Sequence, residues 1–438
     1  MIKAALKNSS WLVSEKFVTM GLNLFVTVWL ARQLGVQVYG ELAYVLALVT
    51  LVTPLAALGL NAIITRELVE RDEDEPRIMA TTAAVRLFGA LFGFAALLTW
   101  LQFTSTVTPE EHIAIVIIGA TSILQAFQVV EYYFQAKVSA HYVVKMRTVV
   151  TACAGVIKII VAWVSADLLS VAYVYAAEFL FWGLGYIFLY QSQARGFQFK
   201  AIDWRYGGQL LKQSFWLILS GVAAVLYLKV DQVMLGHMVS KSEVGVYAVA
   251  VKMSEVWYFF ATALATSFFA MLLTLRKEQS PLYATRLQQL CDALFGLALA
   301  LAIVVSLLAE PIIPWLFGEE YRASAAILTI HIWASLFIYM RALASKWLIA
   351  ERLLAFSLVS HGLGAVVNIL ANLWLIPLYQ GLGAAVATIM SYAVASYLAF
   401  WVSGATRPLA IVMTRSLYLP FTLGYRHWAL LKRIKRRT

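Results

Sequence analysis

Residues 210–236 read LLKQSFWLILSGVAAVLYLKVDQVMLG. As one helix this stretch is about 40 Å long, enough to cross a hydrocarbon core of roughly 30 Å. Lipid offers the backbone no hydrogen bonds, so such a crossing must be a complete helix. Yet Lys229 stands seven residues from the nearer boundary, about 10 Å in, too deep for its ammonium to reach the headgroups readily. Asp231 lies two residues further on. Two apart on a helix, the pair point in roughly opposite directions and cannot neutralise each other, so each needs a partner on another element. Ions kept inside an apolar span usually face one another or a polar cavity. A helix of this kind belongs to a bundle that encloses something polar.

Eleven similar stretches flank it, at 11–34, 38–61, 79–101, 113–134, 146–165, 168–190, 244–272, 287–309, 325–349, 354–377 and 382–404. They predict an all-α integral membrane protein of about twelve transmembrane helices around a central cavity, with the shortest reversals at 35–37 and 166–167. Composition agrees: 62% of residues are hydrophobic, 13% are charged, and mean hydropathy is +0.79. No segment is left for a soluble domain. The net charge of +11 does not indicate nucleic acid, because its placement is that of a membrane orienting signal. With the N-terminus inside, 24 Lys and Arg fall on the cytoplasmic side, and only Arg32, Lys241 and Arg322 on the other. Both termini are therefore expected in the cytoplasm. The segment 408–424, interrupted by Arg415 and Pro420, reads as interfacial, and the basic tail after it suits anionic headgroups. The first apolar stretch contains Glu15 and Lys16 and lacks the pattern of a cleavable signal. Cys153 and Cys291 read as apolar fillers, not a disulfide or metal site.

An offset of 205 residues pairs Lys7 with Lys212, Ser9 with Ser214, Trp11 with Trp216 and Gly40 with Gly245, among eight identities in 37 positions. It sets the seventh helix on the first. The expected organisation is two six-helix bundles, 1–190 and 210–404, joined by a cytoplasmic linker at 191–209 and followed by a tail at 405–438. Parallel repeats of this kind occur in transporters whose halves rock about a central site.

Four segments carry a resemblance to a known family. They are Leu30-Ala31-Arg32-Gln33-Leu34-Gly35 with Tyr39-Gly40; Leu58-Gly59-Leu60 leading to Thr65-Arg66-Glu67; Asp231 to Gly236 with Glu243-Val244-Gly245-Val246-Tyr247; and Trp315 to Tyr321 with Ala325 to Leu328. In order and spacing the chain resembles, over roughly residues 1–404, the bacterial polysaccharide flippases of the O-antigen and exopolysaccharide branch. These belong to the superfamily that also holds multidrug and toxic-compound extrusion transporters. The resemblance implies a flippase of the inner membrane that turns an undecaprenyl-diphosphate-linked oligosaccharide from the cytoplasmic to the periplasmic leaflet by alternating access. It also makes a polysaccharide polymerase a candidate partner. The tail departs from members with fourteen helices.

A diphosphate cargo calls for cations, since guanidinium grips phosphate bidentately and ammonium supplies a point charge. Arg86, Lys158, Lys229, Lys252 and Arg341 are deep enough to be candidate cavity cations, whereas Lys16 and Lys346 lie near helix ends, where they would snorkel. Glu178, Asp231 and Glu255 are the candidate cavity acids or ion-coupling groups. Lys252 and Glu255, three apart, share a helix face and would form an ion pair. Asp231 would bridge to a cation on a neighbouring helix. Glu178 is either the partner of Lys158 or a proton-exchanging group. Five cations against three acids suit an anionic cargo better than the cationic drugs of a multidrug antiporter. A peptidoglycan-precursor flippase would share the cargo chemistry but usually carries two more helices. The six histidines lack metal-ligand spacing, no phosphate-binding glycine loop is present, and no nucleophile–base or paired-carboxylate set marks an enzyme. No cofactor is expected.

Overall fold

The computed structural model describes the backbone of residues 2–426, with side chains from Glu15 to Thr422 save those of Asp72, Ala270 and Leu354. Helix follows helix, with no strand among the described residues. Ten apolar segments among the described residues are long enough to cross a bilayer, counting as one the pair Ala323–His331 and Ala334–Ala350, which is bent by 40°. Two of the ten are too long for one passage. The 56-residue helix Ile2–Ala57 would run about 84 Å if straight. It is broken at Gly35, whose φ of 68° is open to glycine and strained for other residues. The 43-residue helix Leu354–Ser396 reverses at Gln380, and beyond the break Glu243 Oε1 accepts the freed N–H of Gly381 at 2.9 Å.

Dividing both gives twelve crossings: α1 (2–34), α2 (36–57), α3 (Glu75–Phe103), α4 (Pro109–Ala136), α5 (His141–Val164), α6 (Leu168–Gln193), α7 (Trp204–Met238), α8 (Lys241–Lys277), α9 (Leu282–Phe317), α10 (323–350), α11 (354–379) and α12 (381–401). Each expected apolar stretch falls on one of them, and the chain belongs to a multi-pass membrane protein. The turns after even-numbered helices gather at one end of the molecule, here the basic end. Those after odd-numbered helices form the second end, where Arg32, Lys241 and Arg322 lie. Expected helix starts are the least accurate boundaries: α7 begins at Trp204, six residues before the apolar stretch. Asp203 caps it, accepting the Tyr206 N–H at 3.0 Å and an Arg77 guanidinium at 2.8 Å. The Tyr206 N–H and then Arg77 hold this carboxyl below its usual range.

The segment expected at the interface is two short helices, α13 (Arg407–Leu417) and α14 (Leu419–Arg426). At eleven residues, about 16 Å, α13 is too short to cross. It lays Leu409, Ala410 and Met413 on the core, and Ser416 donates to Asp292 of α9 at 2.7 Å. The tail beyond Arg426 lies outside the described residues.

Contact between the first six helices and the last six centres on α2, α7 and α8. Their backbones approach closely: a Cβ on Gly40 would lie 1.8 Å from the Lys241 carbonyl oxygen, and one on Gly245 would lie 2.3 Å from that of Val36. Around this contact Lys241 Nζ stands 3.4 Å from Glu111 of α4 and over the Tyr44 ring. Arg32 donates to the Trp315 carbonyl, and Tyr321 donates to that of Ala31 at 3.0 Å. The second end is closed.

Candidate functional site

Polarity concentrates along the seam between α2 and α7. Toward the second end a cavity of about 180 Å³ is lined by Tyr39 and Thr50 of α2, Tyr175 of α6, Lys229 and Gln232 of α7, and Lys252 with Glu255 of α8. A second space of about 330 Å³ shares Lys252 and Glu255 and runs out between α1 and α8, past Lys16, Thr19 and Asn23 on one side and Phe259 on the other. The two spaces meet at Lys252 and Glu255 and are taken together as the chamber, which borders the α1–α8 gap in the basic-end half. Its floor is set by a break in α8: the first half-helix stops at Glu255, and the Tyr339 hydroxyl donates to the Trp257 carbonyl at 2.8 Å. The break leaves Lys252 in the last turn, where the helix dipole favours a cation.

Lys229 reaches across to Glu255 at 3.3 Å. The expected ion pair between Lys252 and Glu255 is thus replaced by one between helices, because α7 presents Lys229 at the end of the half-helix. Lys252 has no hydrogen-bond or ion-pair partner among the described residues. With Lys16, the chamber holds three ammonium groups against one carboxylate.

Further along the same seam, toward the basic end, is a separate cavity of about 390 Å³ between Thr53 and Pro54 of α2, with Gly59 in the turn after it, and Leu217, Gly221 and Ala224 of α7. Arg86 forms its polar wall with Gln125 and Gln128. That guanidinium is 1% exposed and donates to the Tyr132 hydroxyl at 2.6 Å and the Gln125 carbonyl at 3.0 Å, while its Nε has no partner. Gln128 stands 3.5 Å from it and donates in turn to Glu131 at 3.1 Å.

The remaining candidates line neither cavity. Lys158 sits behind Tyr175, 3.5 Å from the ring centroid, and is paired with Glu178 at 2.5 Å. Asp231 makes no ion pair among the described residues. It turns away from the seam, accepting hydroxyls from Tyr247 and, at 3.2 Å, Thr388, and the N–H of Gln232 at 2.8 Å. Arg341 is buried among Ser360 (2.8 Å), Ser357 (3.2 Å), the Ala395 carbonyl (3.2 Å) and His361, tying α10 to α11 and α12. Lys346 lies over Phe269.

Sequence reasoning set Lys16 aside as a snorkeller, yet it stands at the chamber mouth. A signal was available: Lys16, Thr19, Asn23 and Thr27 recur at i, i+3, i+7 and i+11, a polar stripe down an apolar helix. Gln125 and Gln128 had no such signal, since they lie where α4 changes to a tighter helix over Ile123–Gln128.

Comparison with known proteins agrees with this architecture. A family model described as polysaccharide biosynthesis protein matches residues 5–271. The chain is 26% identical over 420 residues to a probable flippase, AglR, of Haloferax volcanii, covering 88% of this chain and 80% of that one. Its fold is similar to that of the lipid II flippase MurJ in an inward closed conformation, with a TM-score of 0.69 at 14% identity, covering 94% of this chain and 91% of that one. It is equally similar to an inward-facing multidrug resistance transporter of the MATE family, with a TM-score of 0.69 at 13% identity and coverage of 91% and 96%.

Proposed function

Since the chain belongs to the polysaccharide biosynthesis protein family, we propose that it is a flippase that turns a lipid-linked oligosaccharide across the membrane by alternating access. The observation that carries the reading is the chamber of Lys16, Lys229 and Lys252 against Glu255, open between α1 and α8. A polyprenyl-diphosphate carrier has an anionic group next to a long apolar tail. The ammonium groups would neutralise the diphosphate while the tail stays in lipid through the α1–α8 gap. Tyr39 and Tyr175 offer rings to the sugars. A cationic drug would meet a net positive wall instead. The flippase named for the Haloferax relative points the same way.

The finer proposal has an undecaprenyl diphosphate carrier, an O-antigen or exopolysaccharide pathway, and a bacterial inner membrane with both termini in the cytoplasm. The basic end is then cytoplasmic. Residues 1–190 and 210–404 are taken as the rocking units, 191–209 as the bridge, and 405–438 as a tail on anionic lipid. A polymerase would accept the cargo on the far side. The test is deletion of the gene, followed by measurement of lipid-linked repeat units. Accumulation on the cytoplasmic face is expected. Unchanged surface polysaccharide in a strain with no second flippase, together with new sensitivity to cationic drugs, would replace this reading with drug export.

A further inference from the structure

We infer that the second end is shut by a self-complementary helix crossing with a one-sided ionic latch, Lys241 to Glu111, and that this surface parts when the end opens. The inference takes alternating access from the flippase reading and adds the device that works it. The repeat offset of 205 residues sets Val36 on Lys241, Gln37 on Ser242 and Gly40 on Gly245. Where α2 crosses α8 these same residues meet. A Cβ on Gly40 would strike the Lys241 carbonyl, one on Gly245 would strike that of Val36, and Ser242 donates to Gln37. Exchanging the halves exchanges the two glycine contacts and returns the third to itself, as at a two-fold dimer interface. The latch breaks that symmetry. Lys241 stands where the first half has Val36, lies over the Tyr44 ring of α2 and reaches Glu111 of α4 at 3.4 Å. A cation in the first turn of α8 opposes the helix dipole, so its own helix gains nothing from the lysine. Glu111 is aimed by the cap of α4: Oε2 accepts the Thr108 N–H at 2.9 Å, which leaves Oε1 for Lys241. Both side chains are buried, and neither Nζ nor Oε1 has a hydrogen-bond partner among the described residues. Once parted, they can be satisfied only by water. Lys158 with Glu178, Arg147 with Glu15 and Glu131, and Arg276 with Glu351 each lie within one half, whereas this pair joins the two. A buried ion pair gains little over apolar groups of the same shape, but a lone ion left in a dry seam is costly. The pair therefore holds the end shut while both ions are present, and still lets water reopen it.

The experiment uses the full chain in vesicles, with Cys153 and Cys291 replaced by serine and Ala47→Cys as the reporter for a membrane-impermeant maleimide added at the second end. Ala47 lines the chamber and is reached from that side only when the crossing parts. Lys241→Met, and Glu111→Gln, which keeps the cap, should each raise the labelling rate at least about fivefold. Lys241→Met/Glu111→Gln leaves no ion in the seam and should label no faster than wild type. Its transport of a polyprenyl-diphosphate disaccharide should fall at least about threefold, because the seam stays dry. Single variants that label like wild type, or a double variant that labels as fast as they do or transports normally, overturn the latch. Gln37→Cys/Ser242→Cys, bridged by a short bis-methanethiosulfonate, keeps both latch residues and covers the case in which the single variants fold poorly. Transport should fall at least about tenfold and return on reduction. Undiminished transport in the bridged protein overturns the crossing as the parting surface. If wild type moves no cargo while the labelling pattern holds, the flippase reading falls and the latch stands.

Discussion

Replacing Lys158 with methionine leaves Glu178 as a buried carboxylate without a counter-ion. The pair is 2.5 Å apart, 5% and 7% exposed, and lies behind the chamber wall, not on it. At an effective dielectric near 20, unit charges at that distance attract by about 7 kcal/mol. Desolvation offsets much of this, and loss of one partner of such a pair costs about 3–5 kcal/mol. With an unfolding entropy of about 2.1 cal/mol/K per residue, a cooperative unit of 438 residues would lose roughly 3–5 °C in Tm. Unfolding in detergent keeps part of the helix, which lowers that entropy and enlarges the shift. Glu178→Gln, which strands the ammonium, should do the same. The double variant Lys158→Met/Glu178→Met replaces two ions by apolar groups of similar length, so its Tm should return to within a degree or two of wild type. Transport per folded molecule should be preserved in all three. The assays are thermal unfolding of purified protein and flipping in vesicles at several pH values. A double variant as unstable as the single ones would refute the pairing argument. A stable double variant that no longer transports, or that loses a pH dependence shown by wild type, would make Glu178 the proton-exchanging group and not a structural partner.

Lys252→Ala removes a side chain that makes no hydrogen bond or ion pair among the described residues, so Tm should move by about 1 °C or less while transport falls at least tenfold; normal transport would displace the chamber as the anion site. Gly40→Val places side-chain atoms where the Lys241 carbonyl sits, 1.8 Å from the Cβ position. The second end should then fail to close, read as labelling of a cysteine at Ala47 by a membrane-impermeant reagent from that side. Protection equal to wild type would show that closure does not need the glycine contact. Arg341→Ala frees Ser357, Ser360 and the Ala395 carbonyl at once and should cost about 2–3 kcal/mol, seen as a lowered Tm with transport per folded molecule unchanged; loss of transport without loss of Tm would return Arg341 to the cargo path. Asp203 has a depressed folded-state pKa, so its stabilisation of the α7 start is present above the unfolded value near 3.9 and is lost as pH falls through the folded one. The Tm difference between wild type and Asp203→Ala should therefore hold from pH 7 to about 5 and vanish in stronger acid; a constant difference down to pH 2 would exclude the cap.

Hydropathy alone pointed to about twelve membrane helices, because lipid forces every crossing to be a long, self-satisfied apolar helix and each leaves a mark some twenty residues wide. It also exposed the deep ions, since an isolated charge in such a run has few harmless explanations. Lys229 and Asp231 hydrogen-bond to different groups, Glu255 for the first and Tyr247 with Thr388 for the second, and spacing alone places the two on different sides of the helix. Which partners they took was decided only in three dimensions. Glu255 takes its hydrogen bond from Lys229 of α7, and the break in α8 beside which it stands has no proline to announce it. Lys158 is matched by Glu178, whereas Arg86 has no carboxylate partner among the described residues, although both are deep cations in the linear sequence. Lys16 looked peripheral by its distance from a helix end, but α1 borders the gap to α8, so the same depth brings it to the chamber mouth. Depth along a helix is a local property that sequence carries. The direction in which a charge looks depends on which helices stand beside it, and that is a property of the packed bundle.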